Sequence, residues 1–239
     1  MWLVLCEPTD LSAIWAWKGL RARGVEPIEL VTSHALAYCL RFEHRIGRRG
    51  TTTMISLADG RTVTSAAVRG TLNRLVRVPT DHLQTANAQD QRYAEQELSA
   101  LFLSWVHALP APLINTPTPR GLGGARRPIS EWTMMAARAG LPAAFYSPTD
   151  HDVSRTRDPS PADRSVTGLV LHGRCFGAMP DAFRLGCARL AELADTALLG
   201  VEFLARGGDW QFVSATPLPD LRQGGESLLH ALAESLRVS

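Results

Sequence analysis

The residues whose types and spacing could do chemistry are concentrated in Leu198 to Leu221, LLGVEFLARGGDWQFVSATPLPDL. Leu198–Leu204 and Trp210–Ala215 are apolar β-type runs, and Gly207-Gly208-Asp209 between them is a turn, so the stretch reads as a hairpin. Thr216-Pro217-Leu218-Pro219 stops the second strand, because proline has no N–H to give a ladder. Alternate positions on a strand face the same way, so Ser214 and Thr216 could present two oxygens to one hard cation. Two neutral hydroxyls hold such a cation weakly compared with carboxylates.

Other constellations read as less specialised. His151 between Asp150 and Asp152 is metal-like, but adjacent residues seldom converge on one ion, and a solvated loop is expected. Ser165 or Ser214 as a nucleophile would need a histidine and an acid nearby, and no G-x-S-x-G elbow is present. Gly121 to Arg127 (GLGGARR) lacks the Gly-Lys-Ser/Thr of a phosphate loop. Trp15, Trp17, Trp105, Trp132 and Trp210 stand beside other apolar residues, which favours core or interface. Asp220 and Arg222 are expected to cap the last helix or pair with each other.

These residues must be positioned by the elements around them. Trp2–Cys6 reads as a strand, with Thr9 or Asp10 capping a helix over Leu11–Arg23 that Gly24 stops. Pro27–Val31 and Ser33–Leu40 repeat strand and helix, the opening of a parallel α/β unit. Ala58-Asp59-Gly60 joins Thr51–Leu57 to Arg61–Ser65 as a hairpin. Val68–Gly70 is extended, and Thr71–Thr85, without periodicity, reads as a loop. Ala88–Leu109 reads as a long helix with Tyr93, Glu97, Leu101 and Trp105 on one stripe, Leu98 and Phe102 beside it. Pro110–Asn115 is a short strand, Thr116–Arg127 a Pro/Gly-rich connection, Pro128–Arg138 a helix and Leu141–Tyr146 a strand. Ser147–Asp163 has almost no apolar residues and reads as a linker or mobile loop. Ser165–Leu171 and Arg174–Phe176 flank a His172-Gly173 turn, and helices follow over Pro180–Ala194 and Gly225–Leu236.

A chain of 239 residues, 45% hydrophobic, can bury a substantial core. Its 25 basic and 23 acidic residues give a net charge of +2, too even to argue for nucleic acid. The basic spots at Arg45, Arg48 and Arg49 and at Arg120, Arg126 and Arg127 read as solvated loops. Cys6, Cys39, Cys175 and Cys187 lie far apart, as reduced thiols rather than a zinc site. No apolar run reaches the roughly 18 residues of a membrane span, and Met1–Leu5 lacks the features of a signal peptide. A cytoplasmic protein without a membrane partner is expected.

The hairpin resembles the closing hairpin of the ATP-grasp superfamily, a strand ending in Gly-Val-Asp followed by one ending in Glu-x-Asn-Pro. Glu202 stands where that pattern has its Asp, and Ser214 and Thr216 where it has the magnesium-binding Glu and Asn. Arg69 or Arg74, Glu95 or Glu97, Leu113-Ile114-Asn115 with Pro117, and Ala139-Gly140-Leu141-Pro142 match further segments of glutathione-synthetase-like and peptide-modifying ligases. The resemblance implies an α/β fold with an α+β C-terminal part: a Rossmann-like pre-ATP-grasp region at 1–146, a linker at 147–163 and a truncated ATP-grasp-like sheet at 164–239. It also implies a homo-oligomer.

The family's phosphate-binding lysine has no counterpart, since Lys18 is followed by no other lysine. Only Ser147–Asp163 stands where the nucleotide-holding middle would be. Phosphoryl transfer depends on positioning and charge neutralisation, and both are reduced here. The resulting expectation is a degenerate, non-ligating member, a pseudoenzyme with no metal or cofactor, that binds a peptide, a cofactor intermediate or an active ligase. The candidate ligand-binding residues are Arg69, Arg74, Asn115, Arg164, Glu202, Ser214, Thr216 and Asp220. The alternative is an enzyme with a rebuilt site around Glu202, Arg164 and Asp163 or Asp220, forming an amide or ester bond with ATP and magnesium.

Overall fold

The computed structural model describes residues 1–48, 50–143, 164–206 and 209–237. The chain divides into two compact units, Met1–Ala125 with Leu229–Ser239, and Arg126–Leu228. The expected linker at 147–163, the His151 cluster and Gly207-Gly208 lie outside the described residues.

In the first unit four strands form a parallel sheet in the order β2-β1-β6-β7: β1 (Trp2–Cys6), β2 (Ile28–Thr32), β6 (Gly70–Arg74) and β7 (Leu113–Ile114). Helix α1 (Leu11–Ala22) follows β1, capped by Asp10, whose carboxylate accepts the Ala13 N–H at 2.9 Å. A short helix, α2 (Ser33–Ala37), follows β2. One face of the sheet, through Leu3, Leu5 and Val31, packs on Phe102, Trp105 and Val106 of α3 (Ala88–His107). On the other face Ala13, Ala16 and Leu20 of α1 are fully buried with Val4 and Leu72. The last helix, α6 (Gly225–Arg237), brings Leu229–Arg237 into this unit, and the Trp2 indole N–H donates to the Leu236 carbonyl at 2.8 Å.

Three expectations change here. Thr71–Thr85 is not all loop, because its first residues belong to β6, where every residue is buried. A parallel strand covered on both faces shows no alternation. The buried face of α3 is Phe102, Trp105 and Val106, while Tyr93 is exposed. Each step of four residues turns a helix about 40° too far, so the stripe from Tyr93 to Trp105 drifts off the core. Finally, the basic spot at Arg45 lies on a strand, β3 (Arg41–Gly47), and not in a loop. With β4 (Gly50–Ser56) and β5 (Thr62–Thr64) it forms an antiparallel sheet in which β4 is central and β3 and β5 are the outer strands.

In the second unit an antiparallel sheet has the order β11-β10-β8-β9: β8 (Arg164–Leu171), β9 (Arg174–Gly177), β10 (Leu198–Arg206) and β11 (Asp209–Thr216). His172 and Gly173 both have positive φ, as a two-residue hairpin turn requires. One face of this sheet, with Val170, Leu199, Val201 and Phe203, packs on Trp132, Met135 and Ala136 of α4 (Ile129–Arg138) and Cys187 and Leu190 of α5 (Arg184–Leu193). Of the expected strand over Leu141–Tyr146, residues 141–143 are not a strand, although the Pro142 carbonyl accepts the Phe212 N–H at 2.8 Å.

Candidate functional site

The face of the second sheet turned away from α4 and α5 carries the candidate site. Glu202 lies on β10, level with Ser214 of β11 and Thr167 of β8. Its half-buried carboxylate accepts two hydroxyl hydrogen bonds, from Ser165 on Oε1 and from Ser214 on Oε2, each at 3.0 Å. The β10–β11 register shifts between Glu202 and Phe203, which leaves Val213 as an extra residue. This bulge lets Phe212 and Ala215 both face the core while Ser214 stays beside Glu202. A cleft of about 180 Å³ opens here, with Thr167, Glu202, Ser214, Thr216 and Asp220 among its walls. A Cβ on Gly200 would stand 2.6 Å from that of Pro219, so glycine is what lets the Pro-Leu-Pro segment lie against the strand.

The other candidates are already engaged or lie elsewhere. Thr216 Oγ1 accepts the Leu218 N–H at 3.1 Å and holds the turn after β11. Asp220 caps its own turn by accepting the Arg222 N–H at 3.1 Å, and grips the Arg222 guanidinium at 2.6 Å. Arg164, one residue before Ser165, takes the opposite face of β8. Asp163 is outside the described residues. Within the first unit, Arg69 precedes β6 with its guanidinium 5.4 Å over the Trp2 ring, while Arg74 ends the same strand. Arg74 is buried; its Nε donates to Asp10 at 2.8 Å, and its Nη1 has no hydrogen-bond partner among the described residues. Asn115 is buried with φ +63°, and its carbonyl accepts the Asn73 amide at 2.9 Å. The structure therefore gathers Glu202, Ser214, Thr216 and Asp220 into one cleft, and leaves Arg69, Arg74, Asn115 and Arg164 out of it.

Sequence reasoning weighed Ser165 only as a nucleophile, and missed Thr167 and Asn73. Ser165 and Thr167 complete the polar row beside Glu202, and only strand pairing across 37 residues brings Ser165 there. Asn73, fully buried, ties β6 to the segment after β7 by donating to the carbonyls of Asn115 and Leu122 at 2.9 and 2.6 Å. Its one signal was a polar pair, Asn73-Arg74, in a stretch without periodicity.

Among the described residues no histidine is bonded to Ser165 or Ser214, and both hydroxyls donate to Glu202. The cysteines are free thiols, and burial pushes Cys6 and Cys187 up to about 12, away from reactivity. Arg127, from the second basic spot, pairs with Glu131 and lies 5.7 Å over the Trp132 ring, so it is part of α4 packing and not a solvated loop.

Magnesium–nucleotide chemistry needs carboxylate oxygens around the ion and cations on the phosphates. The cleft has two carboxylates, and both oxygens of the first, Glu202, already accept hydrogen bonds from serines. The second, Asp220, is neutralised by Arg222. Among the described residues no group of three His, Cys, Asp or Glu side chains could hold a metal ion. Lys18, the sole lysine, is exposed on α1 in the first unit. Among the described residues, those lining this cleft do not fit a magnesium–nucleotide site.

No family model and no curated protein sequence matches the chain. Solved structures do. The macrocyclase MdnB from Microcystis aeruginosa MRC superposes with a TM-score of 0.66 at 12% identity, over 100% of this chain and 99% of that one. The macrocyclase MdnC of the same organism, bound with the precursor peptide MdnA, gives 0.69 at 11% identity with the same coverage. The ATP-grasp ligase PsnB complexed with a minimal precursor gives 0.66 at 16% identity, over 98% of this chain and 97% of that one. No helix among the described residues is long and apolar enough to cross a membrane. Superposition over nearly the full length of these structures shows that the chain has an ATP-grasp-like fold.

Proposed function

We propose that this chain is a degenerate ATP-grasp-like protein that binds a peptide and does not ligate it with ATP. Its first unit would be a Rossmann-like pre-ATP-grasp region and its second a truncated grasp sheet. The observation that carries the reading is the state of Glu202: the cleft's one carboxylate without an ion-pair partner accepts hydrogen bonds from two serines. A peptide partner is supported by the solved structures, several of which hold precursor peptides. A cofactor intermediate, an active ligase or a second copy of the chain are the other partners such a scaffold would serve, in the cytoplasm.

Isothermal calorimetry with ATP and Mg²⁺, beside a thermal-shift assay, tests the proposal. The expected outcome is neither heat nor stabilisation up to millimolar nucleotide. Ligand at a hundredfold excess over its Kd would add about 2.7 kcal/mol of stability, which the melt would register. Micromolar, magnesium-dependent binding abolished by Glu202→Gln would overturn the reading in favour of an amide- or ester-forming enzyme.

A further inference from the structure

The cleft beside Glu202 is built largely of oxygen atoms that accept. Thr167, Glu202 and Ser214 stand in one row across β8, β10 and β11. Ser165 and Thr216 lie two residues along from Thr167 and Ser214, and so on the same face of the sheet. Ser165 and Ser214 each give their one proton to a different oxygen of Glu202, at 3.0 Å. A hydroxyl that has donated keeps its own lone pairs, and each carboxylate oxygen has more than one acceptor site. The two serines therefore fill part of the carboxylate's hydrogen-bonding capacity and leave its charge whole. Asp220 is held by Arg222, so Glu202 is the charge in this cleft that no ion pair offsets among the described residues. At about 180 Å³ the cleft is smaller than the roughly 300–1,000 Å³ of sites that enclose a whole small molecule. It suits the end of a side chain or of a short alkyl chain, with Leu218 and Pro219 as apolar wall.

We propose that this cleft binds a primary alkylammonium group, as a lysine side chain or a free diamine carries. Such a head donates three hydrogen bonds and accepts none, the complement of a carboxylate ringed by hydroxyl oxygens. Its charge offsets that of Glu202, and its methylene stem can lie along Leu218 and Pro219 while the head reaches the carboxylate. A guanidinium fits less well, because its planar fork takes both carboxylate oxygens along one edge, and here each oxygen already carries a serine proton. A divalent ion needs more charged oxygen around it than Glu202 supplies. This assignment rests on the reading that no magnesium–nucleotide complex occupies the cleft.

Backbone amide shifts of the isotope-labelled full chain, titrated with n-butylammonium chloride, test the site. n-Butanol serves as the neutral control and sodium chloride matches the ionic strength. Saturable shifts at Ser165, Glu202 and Ser214 are expected with the amine alone, at a millimolar Kd. Glu202→Gln keeps the shape and removes the charge, and is expected to weaken binding by about tenfold or more while the thermal midpoint stays within a few degrees. Ser214→Ala removes one acceptor and is expected to weaken it several-fold, which tests the site even where the first variant folds poorly. Nα-acetyl-lysine methylamide against putrescine separates the sources. Tighter binding of the first assigns the site to a lysine-bearing peptide, tighter binding of the second to a free diamine, and either supports an ammonium site. Equal shifts with butanol or with sodium chloride, tighter binding of methylguanidinium, or an amine titration indifferent to Glu202→Gln overturns the proposal. Mg²⁺ and ATP added to the same sample keep the two readings apart. Silence toward both amine and nucleotide overturns the ammonium site alone, whereas micromolar nucleotide binding at these amides overturns both.

Discussion

A carboxylate is defined by what surrounds it. Glu202 lies beside the positions where the family pattern has its metal ligands, yet its surroundings are hydroxyls that donate, and they satisfy it without a cation. Spacing alone placed Glu202, Ser214 and Thr216 near one another. That Ser214 turns its proton to Glu202 while Thr216 serves a turn depends on bulge and loop geometry, which spacing does not encode. His44 shows the same dependence on surroundings. Burial holds its pKa below the ordinary 6.5, and the ring bridges Thr53 and Ser104. Protonation is therefore easier in the unfolded chain, and His44 contributes stability that is fully present above pH 6.5 and is lost as pH falls through the lowered folded value. Denaturant midpoints measured from neutral to mildly acidic pH should fall with acidification, and His44→Asn should flatten the slope. An unchanged slope in the variant would show that His44 does not carry it.

Elements with a clear period or turn were legible. The Asp59-Gly60 and His172-Gly173 hairpins, α1 with its Asp10 cap and the β10–β11 pair follow from local rules that their contacts do not contradict. The failures also have physical causes. β6 is buried on both faces and so has no alternation to read. β3 carries Arg41, Glu43 and Arg45 at alternate positions, but His44 between Phe42 and Ile46 interrupts the apolar half of that alternation. Asn73 within β6 is the polar residue hydrophobic patterning would exclude, and it holds two segments together. Asn73→Ala would leave the Asn115 and Leu122 carbonyls and the Leu75 N–H without that partner. Unsatisfied buried groups cost about 1–3 kcal/mol each in protein data, so a loss of roughly 2–4 kcal/mol is expected by chemical denaturation. Asn73→Asp, which retains the shape but not the two donors, should be no better. A loss under about 0.5 kcal/mol would mean that water replaces the amide.

At the scale of the molecule, the second unit is continuous in sequence, whereas the first is assembled from both sides of it. The joining contacts are close. A Cβ on Gly19 would fall 2.5 Å from a methyl of Leu229, itself buried, and one on Gly70 would stand 3.3 Å from the Leu236 carbonyl. Gly19→Val is thus expected to destabilise the first unit by about 1–3 kcal/mol through overpacking. Equilibrium melts followed by hydrogen exchange of β1 and β6 amides would detect it; unchanged exchange there would show that Leu229 yields freely. The arrangement also imposes an order in time. A ribosome emits Trp2 more than two hundred residues before the Leu236 carbonyl that its indole will meet. Throughout that interval the α1 face of the nascent sheet waits for a cover not yet translated, while residues 126–228 can close on themselves. The earliest part of the chain to be made is among the last to be finished, and a nascent-chain chaperone would find its substrate in that uncovered face.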